Sequence, residues 1–327
     1  MPAEHLNKKL FDEDIERVPN RDGFGEGLRE AGERDKQVVA LCGDLTESTR
    51  MSIFAEQFPE RFVQVGVAEQ SMASVASGMA AMGKVPFMAS YAMFSPGRNW
   101  EQIRTTIAYN NTNVKIIGSH AGVSVGPDGA THQAIEDIAL TRVMPNMTVV
   151  VPCDSIEAKK ATLAAASHIG PLYIRLAREK TPVVTTADSP FVVGKAEVYL
   201  SPEGKEKKIG IIACGTILHN ALLAGKRLND EGIGTSVMNL ATIKPLDEEA
   251  VLAYAKEHEV IVTVEEHQIA GGMGSAVAEL LSEKHPLRVV RIGVRDQFGQ
   301  SGEPDELLKH YGIDVDSLYE AAKNRAV

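Results

Sequence analysis

Glu69 stands in the string VGVAEQ (residues 65–70), where an extended run ends at Gly66 and a helical pattern begins. A carboxylate at such a junction sits at the positive end of the helix dipole, which by itself suits a helix-start carboxylate. Residues 119–133 (SHAGVSVGPDGATHQ) form a glycine-rich stretch with His120, Asp128 and His132, between an apolar run (VKIIG) and a helical pattern. Loops beyond strand ends are where open α/β sheets bind ligands, and two histidines with an aspartate can move protons or hold hydroxyls. A turn-rich connector facing water has a similar composition. The His120–His132 spacing lacks a third ligand and is not a zinc pattern. Arg175 and Arg178 end an extended run (YIRLAR) and offer forks for phosphate or carboxylate. In GDLTESTR (residues 43–50), Asp44, Thr46 and Ser48 suit a cap for the following helix. EEHQIAGGMG (residues 265–274) suits a strand-to-helix packing turn or a glycine-rich anion site. It lacks GxGxxG spacing, and the chain has no P-loop and no GxSxG elbow, so dinucleotide, NTPase and α/β-hydrolase readings lose their support.

The elements that must hold these residues alternate regularly. Apolar, β-rich runs at 37–42, 62–65, 85–90, 114–118, 148–151 and 172–176 are separated by helical stretches at 70–82, 98–109, 135–143 and 155–167. Small residues on every face of 70–82 suggest a helix packed on all sides, including against another subunit. Residues 179–194 (EKTPVVTTADSPFVVG) break the pattern and read as an extended linker. Alternation restarts with strands at 209–214, 235–240, 260–264 and 287–292 and helices at 217–231, 248–258, 274–284 and 305–311. The expected fold is α/β with two doubly wound domains, 1–180 and 195–327, joined by a linker at 181–194.

The charge balance narrows the partners. Asp+Glu number 44 and Lys+Arg 34, a net charge of −10, which argues against binding a nucleic-acid backbone. A local Arg/His cluster can still hold an anionic small molecule. Three scattered cysteines, Cys42, Cys153 and Cys214, fit a reducing compartment and offer no CxxC spacing. The polar N-terminal segment has no signal-peptide core, and no apolar run approaches the ~20 residues of a membrane span. The expectation is a soluble, cytoplasmic protein.

In order and spacing these stretches resemble the C-terminal half of a transketolase, and more closely the separate C-terminal subunit of a split transketolase. The resemblance covers nearly the whole chain: RDGFGEGL, GDLTEST, VGVAEQ, YAMF…R…EQIR, SHAGVSVGPDGATHQAIED, YIRLARE, MNLATIKPLDEE and VTVEEHQIAGGMGSAVAE. It implies a thiamine-diphosphate pyrimidine-binding domain followed by a transketolase C-terminal domain. Glu69 matches the glutamate that hydrogen-bonds N1′ of the cofactor's aminopyrimidine, favouring the imino tautomer that takes the C2 proton. Phe94 is similar to the aromatic residue stacked on that ring, with Tyr91 as the alternative, and Asp44 matches an aspartate near the cofactor. Asp128 matches the aspartate that binds the hydroxyl next to the donor carbonyl, and His132 a histidine available for proton transfer. His120, Arg178, Arg21 and Ser48 match residues that hold the sugar phosphate.

The GDG and following Asn that bind Mg²⁺ and the diphosphate in this family are absent from the string. The resemblance therefore implies a partner chain carrying that domain and the Mg²⁺ ligands, in a heterotetramer with two copies of each chain. It implies transfer of a two-carbon ketol unit from a ketose phosphate to an aldose phosphate, as in the pentose phosphate pathway. The rivals are a 1-deoxyxylulose-5-phosphate synthase, which normally has Arg in place of His120 and one long chain, and a 2-oxo acid dehydrogenase β subunit. Both consume pyruvate. An inactive scaffold subunit is the non-enzymatic alternative.

Overall fold

The computed structural model describes residues 1–204 and 206–324. Central strands that are buried and mostly apolar build a seven-stranded sheet, as expected where both faces are covered by helices, with a less buried edge at Phe62–Gln64. Its order is Thr242–Lys244, Thr148–Val150, Leu172–Arg175, Lys115–Ser119, Val85–Tyr91, Val38–Cys42, Phe62–Gln64. All pairs are parallel except the first. A five-stranded sheet follows, ordered Val289–Val294, Val260–Gln268, Ile209–Ala213, Thr235–Asn239, Glu197–Leu200, with only the last strand antiparallel. These are the two α/β units expected from the alternation of strand and helix.

Several elements were not legible in the pattern. The helix Asn20–Arg34 carries four glycines, which count against helix formation. They are tolerated because this helix packs closely on Ser155–Ser167: a Cβ on Gly23 would stand 1.7 Å from the Ser155 carbonyl oxygen. The stretch expected to be one helix at 98–109 begins as a short α-turn, Trp100–Gln102, and continues as a π-helical segment, Ile103–Ala108. Within the segment read as extended linker, Lys180–Pro182 pairs antiparallel with Arg17–Pro19. Thr242–Lys244, from the second unit, adds an edge strand to the first sheet.

The units share apolar cores. Met144, Met147, Val149 and Val151 of the first unit cluster with Met238, Leu240, Ile243 and Val251 of the second. Leu6 and Leu10 pack among Leu218, Leu222 and Leu228, so the N-terminal segment lies on the second unit. Interfaces this apolar hold domains in a fixed relation. The outer side of helix Glu69–Ala81 is not packed within the chain, since Gln70, Ser74, Val75 and Gly78 are exposed. Among the described residues no helix is long and apolar enough to cross a membrane.

Candidate active site

The carboxyl ends of four neighbouring strands, at Arg175, Ser119, Tyr91 and Cys42, lie side by side in the first sheet. The turns that leave them carry almost every candidate residue, at the position where an open parallel sheet presents a ligand crevice.

Glu69 begins the helix that follows Phe62–Gln64 and is 1% exposed. Its Oε1 accepts a hydrogen bond from Ser90 Oγ at 3.2 Å, and its Oε2 accepts one from Arg98 Nη1 at 2.6 Å. Asn99 Nδ2 donates to the Glu69 carbonyl at 3.0 Å and fixes the helix start. The Arg98 guanidinium also lies over the Phe94 ring, 4.8 Å from its centroid. A planar donor thus bridges a buried carboxylate and an aromatic face. An aminopyrimidine, planar and protonated at N1′, has the same needs, so Glu69 and Phe94 fit that ring. Arg98 itself was not singled out in the sequence, although it lies within the quoted YAMF…R string.

Four rings form the opposite wall. Tyr91 stacks on His120 with centroids 3.9 Å apart, and Phe94 lies 6.1 Å from Tyr91. His132 meets Phe94 edge-on at 5.4 Å and Tyr91 at 6.2 Å. Its Nδ1 is 2.9 Å from Thr131 Oγ1. His120, at φ 57°, sits with Nδ1 2.9 Å from Ser119 Oγ and Nε2 3.4 Å from Arg21 Nη1. Arg21 can only donate, so Nε2 accepts and the ring proton sits on Nδ1. Burial, then the positive charges of Arg21 and Arg178, push His120 down to about 3. It is a neutral imidazole at physiological pH.

Three guanidinium groups face this wall. Arg21 donates to the Ser48 carbonyl at 2.7 Å, so Ser48 engages it through its backbone. Arg178 donates to the Val125 carbonyl at 2.6 Å and lies 3.7 Å from Asp128 Oδ1. Arg50, which was quoted in GDLTESTR but given no role, lies close enough to depress both Arg21 and His120 and pairs with Asp22 at 2.5 Å. Burial and then Arg50 hold Arg21 below its usual value. Positive charge gathered in a crevice attracts an anionic substrate. Asp128 and Asp44 are exposed, and Asp44 leaves the strand end at φ 63°, one residue after Gly43, where a Cβ would stand 3.6 Å from Glu69 Oε1.

Three expectations change. Asp44, Thr46 and Ser48 do not cap the helix Ser52–Gln57, whose cap position is Met51. Their loop is tied instead to Gln64, which accepts from the Asp44 amide at 2.7 Å and donates to Thr46 Oγ1 at 2.9 Å. The two arginines of YIRLAR separate: Arg178 reaches the site, whereas Arg175 is buried on Asp137 at 2.9 Å, with Tyr173 OH on the same carboxylate at 2.7 Å. The glycine-rich turn after Val260–Gln268 holds an anion of its own, because Glu265 accepts from the Met273 and Gly274 amides at 2.6 and 2.8 Å. Among the described residues no group of three or more His, Cys, Asp or Glu is arranged to hold a metal ion.

Comparison with known proteins matches the chain over both units. Residues 16–184 match the family model of the transketolase pyrimidine-binding domain, and residues 196–318 that of the transketolase C-terminal domain. A transketolase C-terminal section of Methanocaldococcus jannaschii is 43% identical over 301 residues, covering 91% of this chain and 93% of that one. A 6-deoxy-6-sulfo-D-fructose transketolase subunit of a Clostridium species is 40% identical over 302 residues, covering 92% of each. A solved split-gene transketolase, an inactive β4 tetramer, superposes with a TM-score of 0.86 at 42% identity, covering 94% of this chain and 98% of that one.

Proposed function

The chain belongs to the transketolase family, and from that premise we propose that it is the C-terminal subunit of a split, thiamine-diphosphate-dependent transketolase. The reaction is transfer of a two-carbon ketol unit from a ketose phosphate to an aldose phosphate. One observation carries the reading: the buried Glu69 carboxylate and the Phe94 face share one planar donor, beside a wall of histidines and arginines. When bound, thiamine diphosphate supplies the electron sink for the transferred unit. Glu69 accepts the hydrogen bond of the aminopyrimidine ring, and Phe94 offers it a stacking face. Asp128 binds the hydroxyl next to the donor carbonyl, and His132 carries a proton beside it; the neutral His120, whose Nε2 accepts from Arg21, stands with Arg21 at the phosphate end. Arg21 and Arg178, with the turn at Ser48, hold the phosphate, and this remote anchor aligns the carbonyl.

The diphosphate and Mg²⁺ ligands belong to a partner chain, in an assembly of two copies of each. The near end-to-end match to separate subunits supports this, as does the inactive state of the related β4 tetramer. The sulfo-sugar relative leaves the identity of the anionic group on the sugar open to choice by the arginine cluster. The test is ketol transfer from xylulose 5-phosphate to ribose 5-phosphate by the chain alone, by the complex, and by the complex with Glu69→Gln. Activity confined to the wild-type complex is expected, with a loss of about 10²–10⁴-fold in the variant and assembly intact. Transfer by the chain alone, or unchanged turnover in the variant, refutes the reading. Pyruvate consumption in place of xylulose 5-phosphate points to the decarboxylating rivals.

A further inference from the structure

The loop that carries Asp128 and His132 closes turns of its own, with the Gly129 amide on the Gly126 carbonyl and the His132 and Gln133 amides on the Gly129 carbonyl. Others of its backbone groups are taken up by side chains from outside it and by Gln133 at its end. Gln133 is 1% exposed. Its Nε2 donates to the Val123 carbonyl at 3.0 Å, the Gly126 carbonyl at 3.2 Å and, in the second domain, the Gln300 carbonyl at 3.0 Å. Its Oε1 is buried without a hydrogen-bond partner. It lies against Gly299, where a Cβ would approach it to 1.7 Å. A buried amide oxygen given up in this way is costly, so the amide is held where it is by its three carbonyls.

The second domain supports the same loop at further points. Glu266 Oε1 accepts from the Ser124 amide at 2.5 Å, and the Gln268 amide donates to the Ile135 carbonyl at 2.8 Å. Gln268 in turn binds the Asp296 amide at 3.0 Å and the Gln297 carbonyl at 2.8 Å, and Tyr311 OH donates to the Phe298 carbonyl at 3.0 Å. Residues 296–298 are thereby fixed to the body of the second domain, and residues 299 and 300 continue from them onto Gln133.

We propose that Gln133 is a positioning residue, through which residues 297–301 of the second domain set the geometry of the substrate-binding loop. The role rests on the function proposed above. It gives the C-terminal domain a part in substrate binding although it contributes no reacting group. Gln133 acts on the loop of Asp128 and His132, whereas Glu69 is held by Ser90, Arg98 and Asn99, so changing Gln133 falls first on donor recognition.

Gln133→Ala, Gly299→Ala and the double variant separate this from general damage. In the assembled enzyme each single change raises the KM for the ketose phosphate about tenfold or more, as expected for misplaced binding groups, while kcat falls less. The double variant is no worse than Gln133→Ala, because the Cβ on residue 299 then has no amide to displace. Hydrogen exchange of the amides in residues 123–129, followed in the chain itself, becomes faster in both single variants. Unchanged donor KM in an active complex overturns the proposal, as do multiplying penalties in the double variant or unchanged exchange. A wild-type complex without ketol transfer overturns the functional reading instead, and the exchange experiment still decides whether Gln133 braces the loop. If Gln133→Ala does not fold, Gly299→Ala alone, a change wholly within the second domain, carries the KM and exchange tests.

Discussion

Arg98 Nη1 lies 2.6 Å from Glu69 Oε2, and the two side chains differ in exposure, 45% for the arginine against 1% for the glutamate. The cation thus reaches the buried carboxylate from the solvent-exposed side. Arg98→Met leaves that carboxylate without its charged donor. The isolated chain is expected to lose about 1–3 kcal/mol, the cost of an unsatisfied buried group. Thiamine diphosphate added with the partner recovers the loss, because its ring supplies a donor in place of the guanidinium. Thermal unfolding with and without both additions checks this. An equal loss in the two conditions shows that Arg98 serves Glu69 in some other way.

Arg21 and Arg178 converge on the crevice from different elements. Replacing either with alanine is expected to raise the KM of a phosphorylated donor about 10–100-fold, the worth of one charge-assisted hydrogen bond. An unphosphorylated ketol donor should be affected far less. Steady-state kinetics with the paired donors tests it, and equal penalties for both exclude a phosphate-holding role.

His120 and Glu157 tilt stability in opposite directions with pH. His120 is held near 3, below its ordinary 6.5, so over that window the unfolded chain binds the extra proton and stability rises with pH. Burial, with Asp154 second, pushes Glu157 up to about 7, so the folded chain keeps a proton that the unfolded chain has released above 4.5. Its contribution falls with rising pH through 4.5–7. Between about pH 4.5 and 6.5 the two slopes, each at most about 1.4 kcal/mol per pH unit, offset one another. His120→Asn should therefore give a stability that falls with pH across this range, and Glu157→Gln one that rises. Urea titrations at pH 4.5, 5.5 and 6.5 read the slopes, and parallel curves for both variants reject the assignment.

Asp137 ties Arg175 and Tyr173 together where the two units meet, since Arg175 Nη2 also donates to the Glu266 carbonyl at 2.8 Å. Asp137→Leu leaves a buried guanidinium uncompensated and is expected to cost about 3–5 kcal/mol. Combining it with Arg175→Met should restore part of the loss. Urea midpoints test both, and a double variant as unstable as the single one removes the charge argument.

Much of the frame was legible because buried parallel strands are continuous apolar runs. The six strands of the first unit were found within a residue or two of their bounds on that signal alone. Helix Asn20–Arg34 was not, because its glycines answer to a neighbouring helix rather than to helix propensity. The strand Thr242–Lys244 was missed for a related reason: three residues carry no periodicity, and their partner lies in the other unit.

The site divides along the same line. Residue types and local order marked Glu69 at a helix start, His120 and Arg178 just past strand ends, and Asp128 and His132 in the glycine-rich turn that follows Ser119, and the resemblance gave them roles. Nothing local distinguishes Arg175 from Arg178, or marks Arg98, Arg50 and Gln133 among other polar residues. Arg175 became structural because it meets the buried Asp137 at the start of helix Asp137–Arg142, and Gln133 because it meets carbonyls from residues 123, 126 and 300. The sequence determined which chemistry could be assembled, through composition and short-range order. The tertiary structure decided which side chains face the crevice and which are held beneath it, because contacts between residues distant in the chain arise only from packing.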